Sequence, residues 1–293
     1  MRTFLLFLIA LGTVQAQTAP ILEAPTWSPD GKSVCYISNE TGNTEIYIQH
    51  LETGKTLKIT DTPAEEWTPS WSPDGSKIAY ISNRDGNKEL YYYDLLSKIT
   101  VRVTHTLEDE GMCSWSPSSK SLVHIQSSQD APNKIIETSL DGNSRDITPN
   151  TNRTYIYPSM SSDGTRLLYG TKPFEGEHSF HVAVLHLQTN EENQLETLGF
   201  VSYNPSWGCN DTKIIFVNQE NKDIHTASVY IMDSDGSSLK KLVDCEGGCF
   251  QPRMYQCHKL LFRDGWRENH KGIQLFDLDG QGRTNLLGSG LNR

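Results

Sequence analysis

The stretch Pro69-Ser70-Trp71-Ser72-Pro73-Asp74-Gly75-Ser76-Lys77-Ile78-Ala79-Tyr80 decides the fold of this chain. Its Ser-Pro-Asp-Gly segment predicts a tight turn, because Pro fixes φ, Asp hydrogen-bonds to nearby backbone and Gly accepts a positive φ. The apolar run that follows predicts a strand bounded by turn residues. Trp71, just before the turn, supplies a large apolar anchor. The stretch therefore predicts a unit of strand, tight turn and strand.

The same unit recurs along the chain at a nearly constant spacing. Its anchor position is occupied by Trp27, Trp71, Trp115, Met160, Trp207 and Met254, which we call the repeat anchors. Successive anchors lie 44 to 47 residues apart. A period in the forties with four short strands per copy is typical of β-propeller blades. The chain is therefore predicted to be an all-β, six-bladed β-propeller with four antiparallel strands per blade, its blades starting near residues 21, 65, 109, 154, 201 and 248.

Several repeat segments resemble a known family. They are the Trp-Ser-Pro-Asp-Gly-x-Lys-Ile-Ala-Tyr unit, the Gly-Asn-x-Glu-Leu-Tyr segment at 86–91 and the Tyr-Ile-Met-Asp-Ser-Asp-Gly segment at 230–236. Together they resemble the propeller repeats of the TolB-like family across residues 20–290. The resemblance implies a propeller that binds proteins through one face. It concerns the repeats alone, since the sequence shows no counterpart of the α/β domain that precedes the propeller in TolB.

The first residues predict a secretory signal peptide. A short positive start is followed by an apolar run over 4–11 and by a small-residue cleavage site at Val14-Gln15-Ala16. We therefore expect a signal peptide at 1–16, a single propeller domain at 17–293, and a periplasmic or extracellular protein without a lipid anchor or membrane insertion. The formal net charge of −10 argues against nucleic acid as a partner.

One end of the predicted channel along the propeller axis is the expected binding site, because variable loops on a rigid scaffold usually carry function. The short Ser-Pro-Asp-Gly turns predict a structural face, so we place the site at the opposite end. The residues expected at that mouth are acidic in one half and aromatic in the other: Glu65, Glu66, Asp109, Glu110, Tyr155, Tyr203 and Phe250. They predict a site for a cation-bearing, peptide or sugar-like ligand. The alternative is solvated acids and aromatic rings packed against neighbouring blades.

A loop of the sixth blade adds a candidate protein contact. Trp266 and Arg267 lie among charged residues there, and an exposed Trp beside Arg is typical of binding hot spots. Long loops at 171–179 and 218–227 extend the expected footprint across blades four to six. The alternative is a Trp folded over the edge of its blade.

The six cysteines of a predicted secreted chain suggest disulfides. Cys245 and Cys249 share one loop, while Cys209 and Cys257 occupy equivalent turns of neighbouring blades. Zinc is not expected, because the spacing of Cys245, Cys249, Cys257 and His258 matches no common zinc pattern.

The sequence favours a binding or scaffold module with an unidentified protein partner. It contains no Gly-x-Ser-x-Gly, His-Glu-x-x-His or phosphate-loop motif, and we predict no cofactor. A small sugar or peptide ligand at the channel mouth is compatible with this function. The alternative is a small carbohydrate-active enzyme, such as a lyase that acts on oligosaccharides at the channel mouth.

Overall fold

A computed structural model describes residues 20–149, 152–176, 179–197, 201–265, 271–280 and 282–287. These residues form six four-stranded antiparallel sheets. In every sheet the strands are ordered as in the sequence, so each sheet is one blade. The prediction of an all-β, six-bladed propeller is confirmed. The predicted signal peptide at 1–16 lies outside the described residues. No helix in the described part of the chain is long and apolar enough to cross a membrane.

Each blade runs from an inner strand at the propeller axis to an outer strand. Blades one to three comprise β1–β4 (Leu22–Trp27, Ser33–Ser38, Glu45–His50, Thr56–Lys58), β5–β8 (Glu66–Trp71, Lys77–Ser82, Glu89–Asp94, Ile99–Arg102) and β9–β12 (Asp109–Trp115, Ser121–Ser127, Lys134–Ser139, Ser144–Asp146). Blades four to six comprise β13–β16 (Arg153–Met160, Arg166–Pro173, His181–His186, Glu191–Gln194), β17–β20 (Val201–Gly208, Lys213–Gln219, Ala227–Asp233, Lys240–Val243) and β21–β24 (Cys249–Tyr255, Lys259–Asp264, Gly272–Asp277, Gly282–Leu287). A short 3-10 helix, Ile224–Thr226, precedes β19.

The turn between the first two strands of a blade is held by its own polar groups. In blade two, the Ser72 hydroxyl donates to Asp74 Oδ1 at 2.6 Å, and the same oxygen accepts from the Ser76 amide at 2.9 Å. Gly75 adopts a φ of 72°, a left-handed conformation that glycine accepts without strain. In blade four the matching bonds from Ser161 and the Thr165 amide lower the pKa of Asp163 to about 2. These turns fix the end of the propeller that we call the turn face.

The hydrophobic core is divided among the six interfaces between blades, and each interface contains one repeat anchor. Trp27 and Trp115 are buried members of their clusters, and the other anchors pack against theirs. Trp115 also donates its indole N–H to the carbonyl of Ser70 in the preceding blade, at 2.9 Å. The anchors therefore join each blade to its neighbour through apolar burial, and Trp27, Trp115 and Trp207 add a directed hydrogen bond.

The ring closes in the same way between blades six and one. Trp27 donates its indole N–H to the carbonyl of Arg253 at 3.1 Å. The Ala24 amide donates to Gln251 Oε1 at 2.8 Å, and Arg263 forms an ion pair with Glu23. No strand is exchanged between the two described sheets. The Trp27 hydrogen bond therefore repeats those that Trp115 and Trp207 form at internal interfaces.

Two disulfides are present, and they join the cysteine pairs proposed from the sequence. Cys209 and Cys257 connect the first turns of blades five and six, with their Cα atoms 4.7 Å apart. Cys245 and Cys249 close a short loop ahead of β21. The first disulfide adds a covalent link between neighbouring blades.

Candidate functional site

The inner strand of every blade is kinked at the same position. One non-glycine residue per strand has a φ between 48° and 53°: Ala24, Thr68, Met112, Tyr157, Asn204 and Gln251. At each of them the pairing with the second strand shifts register. Left-handed backbone is uncommon for residues other than glycine, and its repetition marks a feature of the architecture. The six kinks form a ring around the axis, and all six residues line the same cavity.

This cavity is the axial channel, with a volume of about 400 Å³. Residues from the inner strands of all six blades line it, so it belongs to the whole ring. Its lining includes Pro73, Pro117 and Ser162, which lie in turns between first and second strands. The cavity therefore extends to the turn face. Its size is within the range of protein sites that bind small molecules or short peptide segments.

One position in the channel breaks the repeat. The second residue after each kink is Thr26, Ser70, Ser114, Ser159, Ser206 or Arg253. Five blades thus place a small hydroxyl group there, and blade six places a guanidinium. In blades three and five this hydroxyl joins neighbouring blades. Ser114 donates to the carbonyl of Pro158 at 2.8 Å, and Ser206 donates to the carbonyl of Pro252 at 3.1 Å.

The kink position also differs between the two halves of the ring. Blades one to three contribute Ala, Thr and Met, whereas blades four to six contribute Tyr157, Asn204 and Gln251. Asn204 is 2% exposed, and its amide nitrogen lies beside the Tyr157 phenol but meets no other acceptor in the described part of the chain. Burial raises the pKa of Tyr157, although the nearby Asn204 amide opposes the shift. The phenol therefore keeps its proton at neutral pH and can donate it in a hydrogen bond.

Arg253 places a positive charge in the wall of the channel. It forms no ion pair with a carboxylate among the described residues, and burial lowers the pKa of its guanidinium, with only the Tyr157 phenol opposing. Its one side-chain hydrogen bond runs to the carbonyl of Pro252 at 2.8 Å. A guanidinium has five N–H donors, so most of its capacity remains available for a ligand.

The predicted acidic mouth residues are held by the protein. Glu66 is fully buried and accepts from Arg84, Ser82 and Thr62, at 2.9, 3.0 and 3.1 Å. Glu65 accepts from the Thr44 amide at 2.9 Å. Neither lines the axial cavity.

The equivalent acids of blade three are held in a similar way. Glu110 is 1% exposed, with its Oε2 at 2.7 Å from His124 Nδ1, and Asp109 accepts from the Lys88 amide at 3.0 Å. These contacts place the acids between blades one to three.

The predicted aromatic residues pack away from the cavity. Tyr155 is fully buried in the cluster between blades three and four. Phe250 is 2% exposed and belongs to a small cluster against which Tyr203 packs. A ligand-binding role for the acidic and aromatic residues stays a prediction, as does that of Trp266 and Arg267, which lie outside the described residues.

The residues that sequence reasoning missed are Tyr157, Asn204 and Arg253. Arg253 departs from the Ser or Thr of the other five blades, whereas Tyr157 and Asn204 occupy the kink position, where every blade has a different residue. The departure at Arg253 is visible in the sequence once the six copies are aligned on their anchors. The described residues contain no cluster of three or more His, Cys, Asp or Glu side chains that could hold a metal ion.

Comparison with known proteins defines the family. A family model described as the TolB beta propeller domain matches residues 11–255. The chain belongs to this family. It is 41% identical over 51 residues to the Tol-Pal system protein TolB of Methylococcus capsulatus, which is 17% of this chain and 12% of that protein. It is 48% identical over 42 residues to the Tol-Pal system protein TolB of Xanthomonas oryzae pv. oryzae, which is 14% of this chain and 9% of that protein. These matches span about a tenth of the relatives' length.

Solved structures resemble this TolB-type propeller more extensively. TolB from Acinetobacter baumannii matches with a TM-score of 0.67 and 23% identity, over 78% of this chain and 56% of that chain. Oligogalacturonate lyase from Vibrio parahaemolyticus matches with a TM-score of 0.61 and 12% identity, over 92% of this chain and 96% of that chain. At such identities the likeness shows the fold alone. It gives the lyase alternative no support beyond the propeller architecture.

Proposed function

We propose that this chain is a protein-binding module that receives part of a partner protein at the turn-face end of its axial channel. The observation that carries this proposal is the cavity of about 400 Å³, lined by the inner strands of all six blades and reaching the turn face. A site made from six strands of a closed ring is rigid, and rigid sites bind without a large ordering cost.

Family membership supports a partner that is a protein. The curated relatives are named as Tol-Pal system proteins, a name that describes membership of a multi-protein system. The wall of the cavity combines proline and serine with the side chains of Met112, Trp115, Met160 and Trp207 and a few larger polar residues. Such a wall suits an extended peptide segment, which offers both apolar side chains and backbone hydrogen-bonding groups.

We place the protein in the periplasm or outside the cell. The predicted signal peptide and the two disulfides support this location, because structural disulfides persist in oxidising compartments. A membrane-bound or soluble envelope protein would then be an accessible partner.

Site-specific photocrosslinking tests which face binds. A photoreactive amino acid is introduced at Pro73 or Ser118 on the turn face, and at Glu40 or Thr41 on the opposite face, and crosslinks are analysed by mass spectrometry in cells of the natural host. All four positions are exposed. We expect a discrete crosslinked protein from the turn-face positions and none from the other two. Crosslinks that arise only from Glu40 and Thr41 would move the binding site to the opposite face.

A further inference from the structure

One channel position, two residues after the kink, is occupied by the same residue type in five blades and by a different one in the sixth. Five blades place Ser or Thr two residues after the kink, and blade six places Arg253. In a repeat protein, neighbouring copies share the same structural task, so a lone exception needs its own reason. Ser114 and Ser206 show the structural task, a hydrogen bond to a proline carbonyl of the next blade. A guanidinium is not required for that bond.

The charge of Arg253 is the second feature of this position. Arg253 lines the cavity, and no carboxylate of the described residues pairs with it. The carboxylate that also lines the cavity, Asp211, is occupied elsewhere: it accepts from the amide and the hydroxyl of Ser162, at 2.6 and 2.5 Å. A partly desolvated cation without a counter-charge is unfavourable, and an incoming anion removes that penalty.

The third observation is the set of neutral donors beside this cation. Asn204 lines the cavity, and its buried amide nitrogen meets no acceptor in the described part of the chain apart from the neighbouring Tyr157 phenol. The Tyr157 phenol lies near both Asn204 and Arg253 and keeps its proton. Arg263, which pairs with Glu23, and Tyr203 also lie near Tyr157. The charges of Glu23 and Arg263 both act on the Tyr157 phenol. The three lining residues therefore present N–H and O–H groups to one region of the channel.

From these observations we infer that Tyr157, Asn204 and Arg253, which we call the channel donor set, bind one carboxylate of a peptide that enters the channel. A carboxylate accepts several hydrogen bonds at once, and its planar geometry fits the guanidinium fork. The inference rests on the proposed function for the peptide nature of the ligand. The carboxylate is either the carboxyl terminus of the partner chain or an Asp or Glu side chain, since both present the same group.

Three short peptides distinguish the two sources. They are acetyl-triglycine with a free carboxyl terminus, the same peptide with an amidated terminus, and acetyl-Gly-Glu-Gly-amide, each titrated into the purified full-length chain and followed by NMR. We expect binding of the first, the third or both, and no binding of the amidated triglycine. The peptide that binds identifies the source of the carboxylate. Equal binding of the amidated peptide, or no binding of either acidic peptide at millimolar concentration, overturns the inference.

Two variants test the residues. Arg253→Ser restores the residue of the other blades, so it is expected to fold, and it should weaken peptide binding at least about tenfold. Asn204→Asp keeps the shape and tolerates left-handed backbone, and it should reduce binding by a similar factor through charge repulsion. Arg145→Ser is the matched control, because Arg145 is 70% exposed on the outer strand of blade three. It should change the affinity less than twofold.

These experiments distinguish a failure of the carboxylate subsite from a failure of the proposed protein-binding function. Peptide affinity that is unchanged in Arg253→Ser refutes the carboxylate subsite, whatever crosslinks are formed at Pro73 and Ser118. A crosslinked partner that is retained in Arg253→Ser, together with lost affinity for the short peptides, supports the subsite and shows that it contributes only part of the interface.

Discussion

Glu66 offers a test of how the blades are joined, because its carboxyl is buried at the interface of blades one and two. All three donors that reach it, from Arg84, Ser82 and Thr62, bind Oε1. Oε2 of Glu66 and Oε2 of Glu45 are both buried, and neither meets a donor in the described part of the chain. A proton shared between the two carboxyl groups satisfies both oxygens. Burial, followed by the hydrogen bond with Glu45, raises the pKa of Glu66 from 4.5 to about 7.

This pKa makes the free energy of unfolding depend on pH. Between the unfolded value of 4.5 and the folded value of about 7, the folded protein binds more protons at Glu66 than the unfolded chain does. Stability therefore falls as the pH rises through this window and is constant above it. The full difference corresponds to about 3 kcal/mol, from about 1.4 kcal/mol for each pH unit.

The substitution Glu66→Gln removes this dependence while keeping the contacts. Its amide oxygen can accept from the same three donors, and its amide nitrogen can donate to Glu45. We therefore expect the variant to gain stability relative to the natural protein as the pH rises, by up to about 3 kcal/mol between pH 4.5 and pH 8. Urea unfolding at both pH values measures the difference.

Glu40→Gln, at an exposed position on the neighbouring blade one, controls for the loss of one negative charge. It should not reproduce the pH-dependent gain. A difference between Glu66→Gln and the natural protein that is the same at pH 4.5 and pH 8 would show that folding does not raise the pKa of Glu66, and the argument from burial and proton sharing would be refuted.

Two further predictions concern the closure and cross-linking of the ring. Trp27→Phe leaves the Arg253 carbonyl without its indole donor and should lower the free energy of unfolding by about 1–3 kcal/mol, measured by urea unfolding; an unchanged value would show that the hydrogen bond does not hold the closing interface. Cys257→Ser opens a covalent loop with a sequence separation of 48 and should lower stability by about 4 kcal/mol under oxidising conditions. Under reducing conditions the variant and the natural protein should unfold at the same urea concentration, and a persistent difference would place the effect in packing around Cys209.

The architecture could be predicted because it repeats. Turn chemistry and the Trp or Met anchors recur six times, and any single ambiguous copy is corrected by the other five. The inner strands begin at Leu22, Glu66, Asp109, Arg153, Val201 and Cys249, each within one residue of the start expected from the sequence. Local sequence rules are sufficient to predict the Ser-Pro-Asp-Gly turns, because these turns satisfy their polar groups with hydrogen bonds inside the turn.

The kinks of the inner strands could not be predicted in this way. The residue before a proline normally favours extended backbone, so the sequence around Thr68 predicts a straight strand. In the structure Thr68 instead has a φ of 48°, and the same holds at the equivalent positions. Contacts around the closed ring override the local preference, and no short segment contains that information.

The buried acids show a similar limit. Charged side chains are usually exposed, which favours placing Glu66 and Glu110 at an open mouth. Their partners come from other strands: Arg84 follows β6 of the same blade, and His124 lies on β10. Only the folded sheets bring these groups within hydrogen-bond distance, so a charge in an inter-blade loop does not by itself indicate a binding site.

In this propeller the positions that recur in every blade build the interfaces, and the proposed subsite rests on a position where one blade differs from the other five. Pro158 and Pro252 follow the repeat, and their carbonyls accept inter-blade hydrogen bonds from Ser114 and Ser206. Arg253, next to Pro252 in sequence, departs from the Ser or Thr of the other blades and lines the channel together with Asn204. A side chain that served only the ring would be expected to match its counterparts in the other blades, because all six interfaces have nearly the same geometry. Arg253 does not match its counterparts, and a ligand in the channel can supply the anion with which its guanidinium would pair.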